Sequence, residues 1–155
     1  EGLALGAFGT LYKFTEEPLL KQLLKQVISD EARHVHYGVV ALRDYFTKEI
    51  SEAKRRERED WAYEVAIMLR NRFHFLEIHE EFYGQSISRK DWLHLLETSE
   101  MMSEFRKQLF TRMIPNLKAI GLLSDRIRPK YAQLGILKYE TERSADHLTA
   151  EDLLK

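Results

Sequence analysis

The chain has 155 residues, with 24 Lys plus Arg against 25 Asp plus Glu and a formal charge of −1, so no excess field draws nucleic acid or an anionic membrane to it. The absence of cysteine excludes disulfides, thiolate metal sites and cysteine nucleophiles, and leaves histidine and carboxylates to bind any metal. Seven Gly and three Pro, with 32% charged and 44% hydrophobic residues, are the composition of one helix-rich domain rather than of a strand-and-turn protein.

The first predicted helix runs from the start of the chain to about Phe14. Leu3, Ala4, Leu5, Ala7, Phe8, Leu11 and Tyr12 surround it almost completely, so it needs burial on most sides. Gly2, Gly6 and Gly9 each cost about 1 kcal/mol of helix propensity against Ala, which is tolerable where neighbours approach closely. A chain that opens on such a pattern is expected to begin inside a larger element. Thr15-Glu16-Glu17-Pro18 breaks this helix and starts the next, with Thr15 as the expected cap and Pro18 in the first turn. The second helix runs to about Lys48 on a stripe of Leu20, Leu24, Val27, Leu42 and Tyr45, interrupted by two polar residues, Glu31 and His34.

Residues 51–60 are dense in charge and read as a solvated connection or first turns. Trp61, Val65, Met68, Leu69, Phe75, Leu76 and Phe82 then resume helical spacing, and Trp61, Phe75, Trp92 and Phe105 are expected in the core. Residues 84–88 form a turn, and Ser88 with Asp91 makes a capping box for a fourth helix that should stop near Pro115. Beyond it, Ser124-Asp125 caps a short basic helix in which Arg126, Arg128 and Lys130 cap or solvate, followed by a polar tail. The expected architecture is a single all-α domain: a helix hairpin over 1–48, a second helix pair over 52–115, and short helices with a tail over 116–155. No uncharged stretch approaches the roughly 20 residues that cross a bilayer, and no targeting segment is evident, so a cytoplasmic protein without membrane or nucleic-acid partners is expected.

The informative string is Asp30-Glu31-Ala32-Arg33-His34. Residues three apart share a helix face, so Glu31 and His34 can hold one cation or let Glu31 bridge to a second. If the first two helices form an antiparallel hairpin turning near Glu16, Glu1 and Glu31 stand level, each roughly 22 Å from the turn at about 1.5 Å per residue. An unpaired interior carboxylate is costly, and metal coordination is one of the few arrangements that offsets its desolvation. A rival set, His74, Glu77 and His79 on the third helix with His94 and Glu97 on the fourth, has the spacing of a surface zinc-like site. His36 is expected at the surface.

A glutamate opening a glycine-containing apolar helix, Glu1-Gly2-Leu3-Ala4-Leu5, followed about 30 residues on by Asp-Glu-Ala-Arg-His, resembles the second half of a ferritin-like di-iron carboxylate protein. The similarity extends over roughly residues 1 to 46. It is greatest to oxidases and oxygenases related to the ribonucleotide reductase small subunit and the aminobenzoate N-oxygenases; the latter carry a further histidine where this chain has Val27.

The resemblance implies metal ligation by Glu1, Glu31 and His34, with Glu31 bridging, and Asp30 orienting an imidazole from behind. It implies two iron ions that react with dioxygen and then with an organic substrate, in an apolar cavity lined by Leu5, Phe8, Val27 and Gly38, although the same oxygen and nitrogen ligands also suit other divalent metals. The family takes six ligands from two helix pairs, and this chain has no second Glu-x-x-His. Helices preceding Glu1, or a second copy of the chain, are therefore expected to supply the rest. Two other functions fit the same residues: a non-catalytic helical module that pairs through its apolar faces, and iron oxidation for storage.

Overall fold

A computed structural model describes residues 2–149, 151 and 152, with the backbone alone for residues 2 and 3. Among the described residues the chain is helical with no strand, and no helix is long and apolar enough to cross a membrane. Helices α1 (Gly2–Phe14) and α2 (Pro18–Asp44) form the expected hairpin. The cap is Glu17 rather than Thr15: its carboxylate accepts from the N–H groups of Leu19 and Leu20, Pro18 occupies the first turn, and Thr15 Oγ1 instead accepts from Glu17 N. Past Asp44 the chain continues through a π-helical stretch, Tyr45–Glu49, so the hairpin ends where the spacing predicts.

Ser51 caps α3 (Glu52–Arg72) by accepting from Lys54 N, so the charged segment forms the first turns of the third helix, the second of the two expected readings. The third helix breaks much earlier than Phe82, because Phe75 takes a left-handed conformation with φ 47°. A short α4 (Leu76–Ile78) and a π-helical stretch, His79–Tyr83, follow. Ser88 caps α5 (Arg89–Thr98) as expected: Ser88 Oγ accepts from Asp91 N at 3.2 Å and donates to Asp91 Oδ2 at 2.7 Å.

The expected fourth helix is in fact two, since Ser99 caps a new one, α6 (Glu100–Ala119), by accepting from Met102 N. Helix α6 also runs through Pro115 instead of ending there. An interior proline removes a backbone donor at a cost of about 3 kcal/mol, and here Pro115 and its neighbour Ile114 lie fully within the core, whose packing offsets that cost. The end of the chain holds α7 (Arg128–Gln133) and two 3₁₀ turns, Leu137–Thr141 and Ala145–His147.

Helix α6 is the centre of the fold. Its buried Met102, Leu109, Phe110 and Ile114 join Ala66 and Phe73 with Leu123, Ile127, Tyr131 and Ile136 in the main hydrophobic cluster. Helix α1 lies between α6 and α2, and the α1–α6 approach is closest at Gly6, where a Cβ would sit 3.2 Å from the backbone N and Cα of Leu109. On its other side α1 places Leu5 against Leu24 and Ile28 of α2 in a second cluster. Trp61 is a correction to the expected core, being 59% exposed, because α3 turns its 61/65/68 side outward; Phe75 and Phe105 do pack on the main cluster.

Candidate metal site and adjoining cavity

Glu31 and His34 lie one turn apart on α2, with Oε2 of Glu31 3.5 Å from Nδ1 of His34. That separation is too long for a strong hydrogen bond. Among the described residues, Glu31 Oε2 is buried and accepts no hydrogen bond, although the Glu31 side chain as a whole is 25% exposed and that of His34 60%. A buried carboxylate oxygen without a donor is costly, and a cation is one of the partners that can satisfy it; the pair offers one oxygen and one nitrogen donor of the kind divalent metals take, short of a full ligand set. Among the described residues no third His, Asp or Glu joins the pair to make a cluster. Glu1, the further expected ligand, lies outside the described residues. Asp30 is exposed and its carboxylate is paired with Arg33, one turn along the same helix, in place of the expected imidazole. His36 is exposed as expected.

An open apolar pocket adjoins His34, and its walls differ from the expected lining. An apolar cavity of about 350 Å³ lies between α2, α3 and α6, with His34 at its rim and Gly38, Val39, Leu69, Met113 and Leu117 among its walls. Of the four expected lining residues, Gly38 borders it, and no heavy atom lies within 4 Å of the place a Cβ would take there. Leu5 and Phe8 do not, because the α1–α2 contact absorbs both: Leu5 is buried against Leu24 and Ile28, and Phe8 packs over them. Val27 sits half-buried on α2 two turns earlier in the helix, away from the cavity wall.

The rival histidine set does not assemble into a cluster among the described residues. His79 is buried, with Nε2 2.8 Å from the Ile87 carbonyl, which accepts its proton, and its ring lies against Trp92. His74 is held below the usual imidazole range by burial and by the nearby Arg70 charge, and its carbonyl accepts from Trp92 Nε1 at 2.8 Å. Glu77, His94 and Glu97 are exposed. These residues fix the 79–92 turn and carry no ligand constellation.

Two features escaped the sequence reading. Arg126 and Lys130, expected to solvate a short helix, reach back to α3: Arg126 pairs with the buried Glu59 and with Asp60, and Lys130 Nζ lies 3.3 Å from Asp60. Arg128 pairs with Glu140. The partners are more than 60 residues apart in the first three pairs, and no local spacing reveals them. The second feature, Arg112 with Asn116 on α6, does leave a signal: Asn116 falls at helical spacing among Leu109, Met113 and Ile120, a polar residue inside an apolar stripe. Comparison with protein-family models, with curated proteins and with solved structures finds no match to this chain.

Proposed function

We propose that this chain supplies half of the ligand set of a di-iron carboxylate oxidoreductase with a ferritin-like helical bundle, Glu31 bridging the metals and His34 binding through nitrogen. Glu1 would be the third ligand, and the remaining ligands would come from further helices or from a second copy. The observation that carries this reading is the buried, donorless Oε2 of Glu31 beside His34 on one helix face. When bound, an iron pair would supply reductive activation of dioxygen for oxidation of an organic substrate. The chain's own part is to hold the carboxylate and imidazole in register on α2 and to offer an open, mainly apolar pocket beside them.

The test is anaerobic titration of the chain with Fe(II), read by calorimetry and by metal content after desalting, for the wild type, Glu31→Gln and His34→Ala. Retained iron that either substitution removes is the expected result. Equal iron in all three proteins would refute the assignment.

One observation favours a second reading, a module that docks onto another helical surface: Leu19, Leu23 and Tyr37 on α2 are 72%, 58% and 73% exposed. A monomer at high concentration that retains iron would exclude self-pairing as its main role, whereas an iron-free stable dimer would favour it.

A further inference from the structure

Arg112 and Asn116 stand one turn apart on α6 and face the same side. Arg112 is half-buried, and among the described residues its guanidinium makes neither a hydrogen bond nor an ion pair. Burial lowers its affinity for its proton, and the acids that act on it, Glu142 and Asp152, do so only from a distance. Asp152 is already engaged by Arg143 at 2.9 Å and by the Thr149 N–H at 3.0 Å. A guanidinium withdrawn from water without a counter-ion is the unusual case, since buried charges are ordinarily paired.

Asn116 spends its oxygen on the Ala145 N–H, at 2.8 Å, which turns its NH₂ group outward as a donor. Both side chains border a small recess of about 10 Å³, room for roughly one water or one ligand oxygen. Asn116 and Val35 also belong to the wall of the apolar cavity of about 350 Å³. The recess of Arg112, which Arg143 also lines, thus adjoins the cavity through Val35 and Asn116, with Val39, Leu42, Leu69 and Leu117 among the walls beyond.

We propose that recess and cavity form one amphipathic ligand site, which takes an organic carboxylate with its head on Arg112 and Asn116 and its apolar body along α2 and α6. The planar guanidinium matches a carboxylate in shape as well as charge, and the adjoining volume lies within the roughly 300–1,000 Å³ of small-molecule sites. Only His34, at the rim, is shared with the proposed metal site, so binding is independent of iron. If the iron reading also holds, this carboxylate is the substrate class presented to it.

The test uses metal-free chain and dodecanoate below its micelle concentration, followed by calorimetry, with dodecanol and acetate as comparisons. Dodecanoate should bind at least tenfold more tightly than either, and Arg112→Gln should remove that advantage while leaving dodecanol unchanged. Arg112→Lys should restore part of it, because it keeps the charge and loses the fork. Equal binding of dodecanoate and dodecanol, no binding of dodecanoate, or an unaltered preference in Arg112→Gln would overturn the proposal. Should Arg112→Gln fail to fold, the comparison of the three ligands on the unaltered chain decides the matter, with Asn116→Leu as the second variant. Iron retention is measured separately, so loss of the carboxylate site and loss of the metal site give different results.

Discussion

Arg126 donates to the same oxygen of Glu59 twice, from Nε at 3.0 Å and from Nη2 at 2.8 Å, and so ties the segment before α7 to the middle of α3. Glu59 is 1% exposed, and its other oxygen has no partner. Arg126 adds a donor contact to the Arg56 carbonyl and two to Asp60. Removing the cation therefore leaves a desolvated charge behind. Arg126→Met should destabilise the fold by about 2–3 kcal/mol, the lower part of the range for a broken buried pair because the guanidinium is itself a third exposed. Glu59→Leu combined with Arg126→Met should recover most of that loss. Urea unfolding of the single and double variants checks both values, and additive losses would contradict the pairing.

On the proposed metal reading, Glu31 trades stability for ligand binding. With no donor for Oε2, Glu31→Leu should stabilise the metal-free chain by about 1–2 kcal/mol, since it removes an unsatisfied buried acceptor. The same substitution should abolish iron retention. Thermal melting in the presence of a chelator, beside the iron titration, gives the two readouts, and a less stable Glu31→Leu would show that the carboxylate is satisfied without metal.

Two glycines of α1 make opposite predictions. At Gly6 a Cβ meets the Leu109 backbone at 3.2 Å, and backbone on a packed helix does not yield, so Gly6→Ala should lose about 1 kcal/mol net of its gain in helix propensity. At Gly9 the same Cβ meets nothing within 4 Å, and Gly9→Ala should gain about 0.5–1 kcal/mol. Denaturant midpoints of the two variants should move in opposite directions.

Acid should unfold the protein through its paired carboxylates. Burial pushes the Asp146 carboxyl up, but the Ser144 hydroxyl and the Arg43 guanidinium more than reverse this and hold it below the ordinary range. Glu104 is held down by Gln108 and then by Lys13, which crosses from α1 to α6 at 3.0 Å. A carboxyl whose affinity for protons is lower in the fold than in the unfolded chain contributes stability above the unfolded value, near ~4, and loses it as the pH falls further. Stability should thus begin to fall below about pH 6.5, where the unfolded chain protonates His74 more readily than the fold does, and fall more steeply below about pH 4 as the paired carboxylates take protons. Asp146→Asn should be less stable at neutral pH and less sensitive to acid, as urea unfolding across the pH range will show.

The hairpin of α1 and α2 was legible because its signals are local: a breaker at 15–18, a proline for the first turn, and a stripe at three- and four-residue steps. Ser88 with Asp91 was legible for the same reason. The segmentation of the remainder was not. Ser99 looks like any other helical serine until the backbone turns there, and Pro115 reads as a stop because its tolerance depends on burial, which no local pattern records. Residues 51–60 read as solvent-loving since the cation that buries Glu59 comes from residue 126. At the candidate site, the pairing of Glu31 with His34 followed from helical spacing, whereas the cavity walls depended on which helix α1 packs against.

The bare backbone at Gly38 makes the cavity adjustable from a single position. A Cβ there meets no described atom within 4 Å, so Gly38→Ala should narrow the pocket without a clash, and Val and Leu should narrow it further. Chains differing from this one at that codon alone would sort apolar bodies by length, as a sieve whose mesh is set by one residue.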